Sequence, residues 1–255
     1  MEARILVNGS ATTGVPGDDP GLLLGLTIFE TIRCYEGGAF RLREHLDRLE
    51  ASAVATGIPM PPRDLIREEI AACELPGVRI RYTLTAGGNR ILDAADIDPE
   101  RVGADMRLAA LVWEPPPGLP GVVKHGSRAA WTLAARERDV DEILLLDPMG
   151  HVLEASRSSV MAVVGGRLRT PPLDGRQLAS VTRGALIDAA GRSGLAMDIA
   201  PVSLGMDLEE LYLVSTLKEL APVVLLDGGP GPGAGPVGAR LYEAFRALVH
   251  EEQGK

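Results

Sequence analysis

Lysine is scarce in this chain: Lys124, Lys218 and Lys255 stand against twenty-three arginines. Charge and solubility are left to arginine, so a lysine kept at Lys124 invites a chemical explanation. It follows the short apolar run Gly121-Val122-Val123, which suggests a buried strand end. Desolvation there lowers an ammonium pKa and frees the amine for nucleophilic attack. A lysine snorkelling from a strand end fits the same spacing. Thirty residues further on stands Glu154. Asp141 to Asp147 reads as a strand with an apolar centre, Ile143-Leu144-Leu145-Leu146, and Asp147-Pro148-Met149-Gly150 as a turn. Val152 and Leu153 resume an extended segment that Glu154 ends; Val160 to Val164, Gly165-Gly166 and Arg167 to Thr170 read as strand, turn and strand. A carboxylate at a strand end in an apolar sheet needs a partner, either an arginine or a protonated ring nitrogen.

A second set of residues is suited to anions. Ser180 is an N-cap candidate for a helix running to Ala190, and the free N–H groups of its first turn, with the dipole behind them, attract negative charge. Val78 to Thr85 alternates so that Arg79 and Arg81 share one strand face, toward solvent or toward a carboxylate. Within the segment Leu22 to Tyr35, Thr31 and Arg33 lie two apart on one strand face, where Arg33 could meet a carboxylate and Thr31 is at least a β-favouring residue. Arg48 lies near the edge of a helix whose buried stripe is Leu46, Leu49 and Ala53; taken alone it reads as a solvated arginine. The loop Gly228 to Gly235 is glycine-rich, but its prolines remove the donors that a phosphate-binding loop uses.

The elements that must position these residues fall into two lobes. Arg4 to Asn8 alternates like an edge strand, Arg63 to Cys73 reads as a helix opened by Pro61-Pro62, Met106 to Trp113 and Leu211 to Val214 as strands, and Gly238 to His250 as an amphipathic helix. Glu114-Pro115-Pro116-Pro117-Gly118-Leu119-Pro120 is the clearest linker. The expected division is a smaller α+β lobe over 1–113, a linker over 114–120 and a larger α/β lobe over 121–255 that carries Lys124. At 255 residues, 45% hydrophobic and 24% charged, the chain has ample core material. A net charge of −9 without a basic cluster argues against nucleic acid. The start is too short and charged for a signal peptide and no apolar run approaches about 18 residues, so no membrane partner and a cytoplasmic location are expected. Cys34 and Cys73 read as buried small hydrophobes; His45, His125, His151 and His250 form no ligand set, and no metal is expected.

Lys124-His125-Gly126-Ser127-Arg128, then Asp141-Glu142-Ile143-Leu144, then Gly150-His151-Val152-Leu153-Glu154 resemble the signature of the class IV, or fold type IV, pyridoxal-phosphate enzymes. That family includes branched-chain and D-amino-acid aminotransferases, (R)-selective amine transaminases and 4-amino-4-deoxychorismate lyases. The resemblance runs from about Gly25 to Val237. It implies an α/β fold with an α+β N-terminal lobe and a barrel-like C-terminal lobe. It implies pyridoxal 5'-phosphate held covalently by Lys124, with Glu154 on the pyridine nitrogen. Arg48 in an H-L-x-R-L motif, Val181 and Thr182 in an L-x-G-I-T-R motif, and Ser215 and Thr216 in a second loop would hold the phosphate. Arg128 would lie beside the ring hydroxyl and Ser159 would support the loop bearing Glu154. Phe29, Arg33 and Arg81 would line the substrate site, and Thr31 matches a threonine linked to proton transfer in the lyases. Lys218, before the second loop's Glu219, is the rival lysine. The chain departs from the pattern at Leu26 and Thr27 in the G-D-G segment, at Ala86 where a T-R-G arginine is common, and at Ser180 in place of glycine. The readings left open are an aminotransferase taking a small-molecule amino donor and a 2-oxo acid, a lyase giving 4-aminobenzoate and pyruvate, and a non-catalytic ligand-binding relative. A homodimer is the implied assembly.

Overall fold

The computed structural model describes residues 4–11 and 14–254. Among these, no helix is long and apolar enough to cross a membrane. The chain forms two compact units. One is drawn from residues up to Asp98, from Val122–Arg128 and from the last residues after His250; the other takes Pro99–Gly121 and Ala129–His250.

The first unit is built on β1 (Arg4–Val7), the short α1 (Pro20–Leu23), β2 (Thr27–Tyr35), β3 (Gly38–Ala39), α2 (Leu42–Thr56), α3 (Arg63–Ala71), β4 (Val78–Thr85) and β5 (Arg90–Asp96). Its antiparallel sheet has the order β1-β5-β4-β2-β3, with β1 at the edge as its alternation suggests. Period-2 alternation puts Ile28, Glu30, Ile32 and Cys34 on the buried face of β2, with Ile80, Tyr82 and Leu84 of β4. Leu46, Leu49 and Ala53 of α2 and Ile66 and Ile70 of α3 are buried too, and α2 packs on β2. The opposite face carries Phe29, Thr31 and Arg33, directly across from Thr83, Arg81 and Arg79.

Residues 122–128 lie along β2. The expected strand end at Lys124 is instead a single bridge, His125 to Ile28: the Phe29 N–H donates to the Lys124 carbonyl at 3.0 Å and the Gly126 N–H to the Thr27 carbonyl at 2.8 Å. Gly126 fits closely here: a Cβ added to it would overlap the Thr27 hydroxyl, so either that hydroxyl or the segment would have to move.

The second unit contains β6 (Met106–Val112), α4 (Ala129–Glu137), β7 (Glu142–Leu146), β8 (Val152–Ala155), β9 (Ser159–Val164), β10 (Arg167–Thr170), α5 (Val181–Ser193), β11 (Met197–Ile199), β12 (Glu210–Ser215), β13 (Glu219–Leu226), β14 (Gly229–Pro230) and most of α6 (Pro236–Gln253). The sheet order is β11-β10-β9-β12-β13-β6-β7-β8, with β14 on β13. That order forces curvature. Five inter-strand steps of roughly 4.8 Å would separate β9 from β8 in a flat sheet, about 24 Å, whereas the chain from Ala155 to Ser159 reaches only about 14 Å. The sheet therefore curls toward a barrel, around a core that includes Leu108, Leu144, Val160, Leu211, Leu213 and Val223.

The linker over 114–120 does not coincide with the boundary between units. Contacts place it, with β6, inside the second unit, and place Lys124 in the first. β6 is claimed by β7 and β13 through parallel pairing, which outweighs the composition of the segment after it. The glycine-rich segment 228–235 is spent on the sheet: Gly231 and Gly233 donate to Val224 and Val223.

Candidate active site

The expected site residues gather in two groups, one in each unit. In the first, three cations surround the Phe29 ring: the Arg81 guanidinium stacks 3.5 Å from its centroid, the Lys124 Nζ lies at 4.9 Å and the Arg128 guanidinium at 5.5 Å. Strand register brings Arg81 there, and the bridge to β2 brings Lys124 and Arg128. Thr31 sits across from Arg81 on the same face. Burial pushes the Arg81 pKa down, reinforced by Arg79 and opposed by Asp93. Burial likewise depresses His125 to about 4, with the charges of Arg128 and Lys124 adding to the effect. A partly buried guanidinium beside a further guanidinium and an amine is a receptor for carboxylate. Arg33 is not part of this group; it lies over Tyr35 at 4.8 Å.

Arg48 points elsewhere than a surface helix arginine would. It grips the buried Glu30 with Nε at 2.8 Å and a second nitrogen at 2.6 Å, while His45 Nδ1 lies 2.7 Å from the same carboxylate. Burial disfavours the Glu30 carboxylate, yet the Arg48 charge and the hydrogen bonds from Arg48 and His45 overcome it and hold the pKa at about 2. Burial also lowers His45, against the pull of Glu30. An ionised Glu30 only accepts, so His45 Nδ1 carries the proton in this bond. Sequence reading passed over Glu30 and His45. Their signal was present: Glu30 occupies an apolar-face position of β2, and His45 and Arg48 are three apart on one face of α2.

In the second unit six strand ends meet at one end of the sheet: β7 begins there at Glu142, β9 at Ser159 and β13 at Glu219, while β8 ends at Ala155, β10 at Thr170 and β12 at Ser215. Glu154 lies one residue before the end of β8, and its carboxylate accepts the Leu178 N–H at 3.2 Å. That bond ties it to the segment leading into α5. Ser180 is the N-cap of α5, its hydroxyl accepting the Arg183 N–H at 3.2 Å. The Arg183 guanidinium is buried and pins the incoming segment through Thr170 Oγ1 at 2.9 Å and the Pro171 carbonyl at 2.8 Å. Val181 and Thr182 are buried, and among the described residues their N–H groups meet no acceptor. The N–H and hydroxyl of Thr216 likewise have no partner there. Buried donors without acceptors at a helix N-terminus favour an anion. Lys218, the rival lysine, is committed to an ion pair with Glu142 at 2.6 Å.

Comparison with known proteins matches residues 27–226 to the model of amino-transferase class IV. The branched-chain-amino-acid aminotransferase of Escherichia coli K12 is 28% identical over 89% of this chain and 85% of its own length. A crystal structure of an E. coli branched-chain amino acid aminotransferase superposes with a TM-score of 0.82 at 25% identity, covering 98% of this chain and 95% of that one. The PLP-bound form of a hypothetical aminotransferase from Mycobacterium tuberculosis, 22% identical, shares the fold with a TM-score of 0.84 over 98% and 99% of the two chains.

Proposed function

The chain belongs to the class IV aminotransferase family, and we propose that it moves an amino group between an amino acid or amine and a 2-oxo acid, with Lys124 as the residue that takes and returns the substrate Cα proton. It is a pyridoxal-phosphate-dependent enzyme of α/β fold. When bound, the cofactor supplies an aldehyde for the amine and a ring that accepts electrons. The residues present fit this group: the unpaired N–H groups of Val181 and Thr182 and the unpartnered Thr216 are donors suited to a phosphate, and Glu154 is a carboxylate suited to a protonated ring nitrogen. Ser215 and Ser159 flank those positions in the sheet. Arg48, held by Glu30, is assigned to the phosphate, and Arg128 to the ring hydroxyl.

The observation that carries the reading is the ring of cations on Phe29. It joins the Lys124 side-chain nitrogen to guanidinium groups, the chemistry needed for an amino acid's nitrogen and carboxylate. Arg81 is assigned to the substrate carboxylate, with Phe29 as the surface beneath it and Arg33 as a more distant contributor. The relatives named as branched-chain aminotransferases support transfer over elimination. A lyase that releases pyruvate is the second reading, favoured by Thr31 standing across from Arg81 at the position linked to proton transfer in lyases.

The test is the visible spectrum of the cofactor-loaded protein mixed with L- and D-amino acids and (R)-amines, without acceptor. Conversion of the cofactor to its amine form by a donor, absent in Lys124→Ala, is expected. A spectrum that no donor moves, together with pyruvate release from aminodeoxychorismate, would replace transfer with the lyase reading.

A further inference from the structure

Around Thr216, in the loop between β12 and β13, Ser215, Lys218 and Glu219 are tied within the protein. The Ser215 hydroxyl accepts the Lys218 N–H at 3.3 Å, and the Lys218 carbonyl accepts the Gly103 N–H at 3.0 Å. Glu219, at φ +58°, is fully buried, and its carboxylate accepts from Tyr242 at 2.7 Å and Arg246 at 2.8 Å. The Lys218 ammonium meets Glu142 at 2.6 Å. Glu142 is itself fully buried and accepts from the Ser158 hydroxyl at 2.9 Å and the Arg157 N–H at 2.8 Å. Those two residues form the turn between Glu154 and Ser159. One carboxylate thus connects the Thr216 loop to the Glu154 turn, while among the described residues the N–H and hydroxyl of Thr216 meet no partner.

We propose that the Lys218–Glu142 ion pair is a strut that holds the 215–218 loop in the shape that receives the cofactor phosphate on Thr216, making Lys218 a positioning residue. This rests on the assignment of Thr216 to the phosphate given above. A buried ion pair adds little net stability compared with apolar packing, but it fixes the separation of the two segments that carry its charges. Phosphate binding depends on such separations, because each donor must meet an oxygen at hydrogen-bond distance.

The experiment compares the affinity of the full-length apoprotein for pyridoxal 5'-phosphate with that for pyridoxal, which lacks the phosphate, in wild type and in Lys218→Met, Lys218→Arg, Thr216→Val and the double variant Lys218→Met/Glu142→Gln. Lys218→Met is expected to lose at least about tenfold in affinity for the phosphorylated ligand, as when the outer support of a bound group is removed, with pyridoxal affinity unchanged. Lys218→Arg should restore much of the loss. The double variant leaves no unpaired buried charge, so it decides the matter if the single variant folds poorly, and it should show the same selective loss. An unchanged ratio of the two affinities in the double variant, an equal fall for both ligands, or recovery in the double variant would each overturn the strut. If Thr216→Val also leaves the ratio unchanged, the assignment of Thr216 fails with it; if Thr216→Val alone lowers the ratio, that assignment stands and the strut falls.

Discussion

Glu30 is a carboxylate with almost no exposure to water, made tolerable by an arginine fork and an imidazole. Removing one partner of such a group leaves the other charge buried and unpaired. Glu30→Gln is therefore expected to destabilise the protein by about 3–5 kcal/mol at pH 7. The pH dependence follows from the signs of the shifts. Glu30 titrates near 2 in the folded protein against an ordinary 4.5, so its contribution is whole above about pH 4.5 and is lost as pH falls toward 2. His125 is depressed to about 4 from 6.5, so the unfolded chain takes up that proton first and stability begins to fall below about pH 6.5. Urea titrations at pH 7, 5.5 and 3 should show wild type weakening at each step, with Glu30→Gln drawing closer to wild type at pH 3. Equal stability of the two proteins at pH 7 would refute this account of the triad.

At the scale of elements, the position of Lys124 rests on a two-bond bridge to β2 with Gly126 packed against Thr27. Gly126→Ala would push the 122–128 segment off the strand. A displacement of about 1 Å in a catalytic group can cost about 10²-fold in rate, so kcat/KM should fall by about that factor. Adding Thr27→Ala removes the obstructing hydroxyl and should recover part of the loss; no recovery in the double variant would show that something other than this overlap positions the lysine. Most elements were legible beforehand, and for local reasons. β7, β8, β9 and β10 follow apolar runs punctuated by turn residues, and Ser180 caps α5 as its side chain and position suggest. α4 was missed: Ala129–Glu137 is built from good helix formers but buries only Ala135 fully, so it has almost no apolar stripe to read. β5 was missed because Arg90–Asp96 mixes acidic residues into a strand whose pairing partners supply the specification.

At the scale of the whole molecule, α1 and the residues after it expose Leu22, Leu23, Leu24 and Leu26 at 65%, 65%, 69% and 47%. The segment does not sag into solvent. Buried Asp19 anchors it by accepting from the Gly21 N–H, Thr85 Oγ1 and Asn89 Nδ2, each at 2.6 Å. Exposed leucines on a segment anchored in this way suit association. The homodimer that the family resemblance implies should therefore appear in light scattering as twice 27.0 kDa, and Leu23→Asp should shift the mass toward the monomer. A wild-type protein of monomer mass at micromolar concentration would overturn that expectation.

The sequence by itself determined the local grammar: a lysine beside an apolar run, a glutamate at a strand end, a cap before a helix, and a motif order specific enough to indicate the cofactor. Those features need only neighbours a few residues away, because helix and strand periodicities repeat over short distances. Tertiary structure decided which distant groups meet. Phe29 joins Arg81 through register between β2 and β4, and joins Lys124 and Arg128 through a bridge nearly a hundred residues along the chain. Glu142 reaches Lys218 because parallel pairing of β6 with β7 and β13 brings their beginnings to one end of the sheet, two strands apart. Such pairings depend on register and curvature, which are set by packing of the whole sheet and leave no periodic trace in the chain.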